Sequence, residues 1–445
     1  MDFDILGYFA DHDRKVFAEA NDLAITYKQS LSIIKYLAGN LAARGLFGKT
    51  VMLSVPHQIE SHLLFLALLH TNNVVLVHPE HNREFLQFVC DEHGVNAIVG
   101  MASPVSSLQH FTVRDITGSL YLPTIPDSAW NQWFPGKLSL LTSGTTGMPK
   151  LATLPYQSIM SYGNLLQNWF PLEARDRLYY MTPFFHGFGL TRLLSVIQSG
   201  SAMFVPSTTA VKNLISDINR RRCTWTSLVP RVVKIASRST SLLWPGFKFA
   251  TCSAAPISRD ILSSFSQATG KPIFVEYGCT EASIISSNTP EHNRLGSMGR
   301  IDPQLCCVKD GIVMARPAYD NSLDWVDTGD IGWVDQDGFL WLRGRSKEII
   351  KRNGRTIFPF EIECALQTAP GIMDVAAYAI HAMTNQESIG LVYVGDLDPD
   401  QVRDLCRQRL STSLQPTQIT KLPELPLQCG KVRRGTLDQY VTTLQ

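Results

Sequence analysis

The run from Leu138 to Lys150 reads Leu-Ser-Leu-Leu-Thr-Ser-Gly-Thr-Thr-Gly-Met-Pro-Lys. A mostly apolar start leads into a loop of hydroxyls and glycines that ends in a cation. Glycines let backbone N–H groups approach a polyphosphate, hydroxyls donate further hydrogen bonds, and a lysine adds charge. Thr142, Ser143, Gly144, Thr145, Thr146, Gly147 and Lys150 are therefore candidate phosphate-binding residues. A P-loop NTPase places Gly before the lysine and Ser or Thr after it. Pro149 and Leu151 flank Lys150 here, which disfavours a P-loop ATPase. Taken alone, such a loop is more often a plain turn.

Further strings follow in order. They are Met-Thr-Pro-Phe-Phe-His-Gly-Phe-Gly-Leu from Met181, Thr-Cys-Ser-Ala-Ala-Pro from Thr251, and Tyr-Gly-Cys-Thr-Glu from Tyr277. Then come Trp-Val-Asp-Thr-Gly-Asp from Trp325, a long basic stretch from Leu342 to Glu363, and Pro-Leu-Gln-Cys-Gly-Lys-Val-Arg-Arg from Pro426. Each alone has an ordinary reading: His186 as a satisfied structural histidine, Glu281 as a surface acid, Leu342–Glu363 as a surface hairpin.

Together, in this order, they resemble the motifs of the adenylate-forming (ANL) superfamily of acyl-CoA synthetases, peptide-synthetase adenylation domains and beetle luciferases. The resemblance runs from Thr26-Tyr27 to Lys431. It implies that the chain uses ATP and Mg²⁺, with CoA or a phosphopantetheine thiol as acyl acceptor. It implies an acid pocket of Phe184, Phe185, His186, Phe188, Gly189, Ser253, Ala254 and Gly278. Ala255 and Pro256 would flank adenine, Tyr277 would stack on it beside Gly278, and Thr280 would face phosphate. Glu281 would hold the metal, Asp330 would accept from the ribose hydroxyls, and Arg345 would approach the ribose. Lys347 matches the pivot of a mobile C-terminal domain, and Gly354 the turn brought up beside the thiol arm. Lys431 matches the catalytic lysine; with Glu281, Thr280, His186 and Lys150 it completes the catalytic set.

The chemistry suits these residue types. A carboxylate is ionised at neutral pH and needs no base, but it must approach an α-phosphate of like sign. Catalysis is then positioning plus charge stabilisation. Met181–Thr191 holds no Asp or Glu, and an ammonium buried without a partner is costly. An aryl or aliphatic acid is therefore expected rather than an α-amino acid. The alternatives are a stand-alone amino-acid adenylation enzyme loading a separate carrier protein, a luciferase-type oxygenase, and an idle nucleotide-binding scaffold. The pattern departs from the family at Leu151, at Leu427-Gln428-Cys429, and in a shortened Val308–Trp325 segment.

The elements that must position these residues follow from length and periodicity. At 445 residues the chain exceeds what one core usually serves, so at least two domains are expected. Residues 1–345 are read as an ATP- and acid-binding core and 346–445 as a smaller mobile α/β domain. Helical spacing at Leu31–Leu41, Leu63–Leu69 and Glu84–Cys90 alternates with strands at Val51–Leu53, Val74–Val77 and Ala97–Val99. That alternation predicts an α/β fold of helix-covered sheets. Ser103–Pro135 reads as an irregular connection, and Asn293–Asp330 as a small β-rich module. Strands near Ala376–Ile380 and Leu391–Val394 and a helix near Asp400–Leu410 are expected beyond Ser346.

Hydrophobic residues make up 44% and charged residues 18%, and the net charge is +1, with no basic block to serve nucleic acid or a membrane surface. Nine cysteines without a Cys-x-x-Cys spacing fit a reducing cytoplasm better than a disulfide or metal framework. The acidic Met1–Asp4 does not read as a signal peptide, and no apolar run is long enough for a membrane span.

Overall fold

The computed structural model describes residues 5–443 except 21–22, 78–82, 101–107, 118–135, 143–149, 208–210, 318–323, 382–386, 429–430 and 433. Two large sheets dominate the first three quarters of the chain. The six-stranded sheet runs in the order Gln109–Phe111, Ala97–Gly100, Thr50–Ser54, Asn73–Leu76, Lys137–Thr142 and Lys150–Pro155. All its pairs are parallel except the last. The nine-stranded sheet is parallel through Ile273–Cys279, Phe249–Cys252, Trp225–Leu228, Arg177–Tyr179, Ala202–Phe204 and Val16–Ala20. Antiparallel strands finish it on both sides.

Helices fill the layer between the sheets. Ile59–Thr71 is buried along its whole length, as a helix apolar on every side must be. Leu53 and Leu138 of one sheet share a core with Trp225, Phe249 and Phe274 of the other. Tyr27–Ala43 starts at a capping box in which Thr26 accepts from Gln29 N–H and Gln29 answers from its side chain, and it ends before Gly45. Ser103–Pro135 is not wholly irregular: it contains the strand Gln109–Phe111 and the short helix Val113–Thr117.

The β-rich module is a four-stranded antiparallel sheet of Cys306–Lys309, Ile312–Ala315, Val326–Val334 and Leu340–Arg345. Core side chains after Ile350 form clusters of their own on the sheet of Ile372–His381, Glu387–Gly395 and Gln418–Lys421. Helices Pro359–Gln367 and Pro399–Arg409 accompany that sheet; the second opens on an Asp398–Gln401 capping box with Pro399 in its first turn. No helix among the described residues is long and apolar enough to cross a membrane.

Candidate functional site

Adjacent parallel strands Phe249–Cys252 and Ile273–Cys279 deliver two of the predicted strings to their carboxyl ends, where open α/β sheets bind ligands. Beyond Cys252 the chain turns outward: Ser253 is half-buried, and Ala254, Ala255 and Pro256 are exposed. Ala254 has φ 79 and Ser283, on the return strand, has φ 59. Left-handed backbone at residues carrying a Cβ costs of order 1 kcal/mol or more and clusters at functional sites. Gly278 is exposed, and a side chain there would collide with the Ser283 carbonyl. Thr280 follows directly, its carbonyl accepting from the Tyr162 hydroxyl at 2.6 Å.

Three predicted nucleotide residues meet at one carboxylate. The Tyr277 hydroxyl donates to Asp330 Oδ2 at 2.7 Å, and Arg345 Nε lies 2.9 Å from Oδ1. Asp330 and Arg345 are cross-strand partners in the β-rich module, so the register of that sheet sets their approach. Asp330 is buried, only 8% exposed. Glu281 lies four residues beyond Tyr277, half-buried at the same strand end. Cys279, half-buried, packs against the core of this sheet, and burial, with the neighbouring Glu281 as a second cause, raises its thiol above the ordinary value.

The aromatic segment comes against this edge. His186 sits at the N-cap of helix Gly187–Ser199, and a Cβ at Gly187 would lie 3.9 Å from Thr280 Cα. Phe188 is half-buried and Gly189 buried. Phe184 corrects the expected pocket wall. It has no exposed surface and is ringed by His57, His62, Phe65 and Phe185, so it belongs to the core. Phe185, 5% exposed, is mostly core as well.

Ser143, Gly144, Thr145, Thr146 and Gly147 lie outside the described residues, as do the side chains of Thr142, Lys150 and Lys431. The backbones of Thr142 and Lys150 pair across the antiparallel strands that flank the loop. Lys431 pairs with Gln428 in a short hairpin. Lys347 occupies the 3-10 turn Ser346–Glu348 directly after the module's last strand. Gly354 makes the tight turn between Ile350–Arg352 and Arg355–Ile357; Asn353 at φ 50 and Gly354 at φ 75 match an Asn-Gly hairpin turn.

No group of three or more His, Cys, Asp or Glu side chains among the described residues could hold a metal. A single carboxylate at Glu281 fits Mg²⁺, which is commonly held by one or two carboxylates together with substrate phosphates.

Three contacts between polar side chains were not foreseen from the strings. Arg192 and Glu276 form an ion pair with side chains 0% and 1% exposed. Each stands just outside a motif, Arg192 beyond the aromatic segment and Glu276 before Tyr277, and the only signal was a charge inside an apolar run. Arg434 binds Glu348 at 2.8 Å and forks onto Glu363 at 2.8 and 3.2 Å. His57 and His62 hydrogen-bond each other behind the aromatic segment at 3.1 Å.

Residues 138–313 match the family described as AMP-binding enzyme. The oxalate–CoA ligase of Arabidopsis thaliana is 25% identical, with 99% of each chain covered. Among solved structures, an anthranilate CoA ligase in complex with anthranoyl-AMP superposes with a TM-score of 0.85 at 19% identity, covering 100% of this chain and 98% of that one. The O-succinylbenzoate coenzyme A synthetase of Bacillus subtilis, in complex with ATP and magnesium ion, gives 0.82 at 20% identity over 97% and 98%.

Proposed function

This chain belongs to the adenylate-forming superfamily of AMP-binding enzymes, and from that premise we propose that it activates a small carboxylic acid with ATP and passes the acyl group to the thiol of CoA. The acid's carboxylate oxygen bonds to the α-phosphorus of ATP, the bond to the β-phosphate bridge breaks, and pyrophosphate leaves. The thiol sulfur then bonds to the acyl carbon and AMP departs. The observation that carries this reading is the convergence of Tyr277 and Arg345 on Asp330 beside the Thr280–Glu281 strand end. Oxalate, anthranilate and O-succinylbenzoate in the names of similar proteins support a small-acid substrate.

Mg²⁺ on Glu281 would supply charge to the phosphates. The loop ending in Lys150 would hold them by backbone N–H groups, and Asp330 would take the ribose. His186, Phe188, Gly189, Ser253, Ala254 and Gly278 would line the acid. Met181–Thr191 offers no carboxylate to pair with an ammonium, and that supports an acid without an α-amino group. One geometry serves both half-reactions poorly, so residues 346–445 act as a lid turning at Lys347. It brings Lys431 to the phosphates for the first step and the Gly354 turn to the thiol for the second.

Lys431→Ala tests the assignment. Acid-dependent ATP–pyrophosphate exchange should fall by ~10²–10³, as for loss of a transition-state donor, while acyl transfer from a supplied acyl-adenylate persists. Equal loss of both half-reactions, or release of ADP in place of AMP, refutes it. Offering CoA and a phosphopantetheinylated carrier protein in the same assay identifies the acceptor.

A further inference from the structure

Thr280 and Glu281, proposed above to face phosphate and metal, are the two central residues of one tight turn. Strands Ile273–Cys279 and Ser283–Ser287 are antiparallel neighbours, and the turn between them closes where Ala282 N–H donates to Cys279 O at 3.3 Å. Turns of types I and II share such a closing bond and differ in the direction of the central peptide; type II needs a positive φ at its third residue. Glu281 holds that third position and is not among the residues with positive φ, which excludes type II.

The oxygen of that central peptide belongs to Thr280, and it is the atom that the Tyr162 hydroxyl holds at 2.6 Å. Tyr162 lies in helix Tyr156–Trp169 and is 1% exposed. A peptide unit is planar, so fixing its oxygen fixes the plane from which Glu281 departs.

The turn is pinned on its far side as well. Ser283, left-handed at φ 59, has its Oγ 3.3 Å from Thr191 Oγ1 on helix Gly187–Ser199. Thr191 gives its one hydroxyl proton to Gly187 O at 2.8 Å, so Ser283 is the donor. The two helices are joined to each other where Gln198 Nε2 donates to Met160 O at 2.7 Å. A side chain from each of two linked helices therefore holds the turn.

A buried tyrosine hydroxyl usually finds some acceptor. Tyr27 does so at the Val196 and Ser201 carbonyls, both at 2.8 Å, and neither is a predicted site residue. Tyr162 differs in what its acceptor belongs to, the one peptide that joins Thr280 to Glu281. Groups that orient a metal ligand typically change metal affinity about 10–100-fold when removed.

Resting on the reading of Glu281 as the Mg²⁺ ligand, we infer that Tyr162 is a positioning residue for the metal: its hydroxyl selects the direction of the Thr280–Glu281 peptide that presents Glu281 to the ion. It touches neither the ion nor the nucleotide. Without the hydroxyl the Thr280 carbonyl must find another donor, and the peptide leaves its set direction.

The test uses the full chain and α,β-methylene-ATP, whose bridge to the leaving group cannot be cleaved. Calorimetry reads its affinity with Mg²⁺ and with a chelator, and the ratio is the gain due to the metal. Tyr162→Phe keeps the ring. It should shrink that gain ~10-fold and leave the affinity for metal-free nucleotide unchanged. Tyr27→Phe should lower the temperature of thermal unfolding and leave the gain intact, as a merely structural hydroxyl would. Glu281→Gln should remove the gain.

A full gain in Tyr162→Phe, or an equal loss in Tyr27→Phe, overturns the inference while loss in Glu281→Gln upholds the metal assignment. A full gain in Glu281→Gln overturns that assignment and this inference with it.

Discussion

His57 and His62 stand behind the aromatic segment, and their hydrogen bonds assign their tautomers. The Tyr180 carbonyl can only accept, so His57 Nε2, 3.0 Å away, carries the proton. His57 Nδ1 then accepts from His62 Nε2. Burial disfavours the charged forms, taking His57 down to about 4 and His62 well below its ordinary value. The unfolded chain binds these protons near 6.5, so both groups stabilise the fold above that pH and lose the contribution as pH falls below it, His57 as pH nears about 4. Stability should decline by up to ~1.4 kcal/mol per pH unit for each histidine in that window. Thermal unfolding of His57→Gln/His62→Gln should show a flatter pH dependence between 6.5 and 5, above the range where carboxylates titrate. An unchanged slope would mean other groups set it. Asp330 makes the same point about single residues: its role is read from a motif, but its joint contact with Tyr277 and Arg345 is a property of the folded chain.

At the scale of elements, Arg434 ties the hairpin bearing Lys431 to both Glu348, next to Lys347, and Glu363 in helix Pro359–Gln367. Glu363 is 4% exposed and also accepts from Ala377 N–H at 2.9 Å, which joins hairpin, helix and the strand Ile372–His381. Arg434→Met would strand a buried carboxylate, a change that typically costs about 3–5 kcal/mol. Hydrogen exchange in Ile372–His381 should accelerate accordingly, and Arg434→Lys should fall between, because lysine lacks the fork. Protection equal to that of the unaltered chain would show that the strand does not depend on this clamp. Most elements were legible from periodicity, as in Tyr27–Ala43 and Glu387–Gly395, because an amphipathic or strand pattern is local. Gln109–Phe111 and Val113–Thr117 were not, since they are too short to show a period and are held by neighbouring strands and helices.

Over the whole molecule, the two parts of the chain meet at a charged seam. Asp374 of the strand Ile372–His381 faces helix Pro230–Ala236, with Arg231 Nε at 3.5 Å. Arg238 just beyond that helix donates to Ile372 O at 3.3 Å. Lys234, 8% exposed between them, is pushed down to about 8 by burial, with Asp374 opposing the shift and Arg238 adding to it. Asp374→Asn removes the acid that faces Arg231, Lys234 and Arg238 among the described residues. Exposed ion pairs contribute only about 0–1 kcal/mol, so if residues 346–445 turn as the lid proposed above, the balance between its positions should shift a few-fold toward arrangements without this contact. Fluorescence transfer between labels on residues 1–345 and 346–445 would read it, and added salt should mimic the substitution. A signal insensitive to both would leave the seam without influence on the lid.

The sequence by itself determined the family, the order of its motifs and the succession of most elements. Those properties are written in local residue types: glycines and hydroxyls before a lysine, or apolar residues at a regular spacing. It could not reveal which charges face one another across distant segments. Arg192 meets Glu276, and Arg434 meets Glu348 and Glu363, only because strand register and helix packing bring them together. Nor could it separate Phe184, enclosed in the core, from Phe188 beside the guanidinium, because a phenylalanine reads alike whether a cavity or another ring lies against it. Burial decides that difference, and burial is a property of the assembled layers.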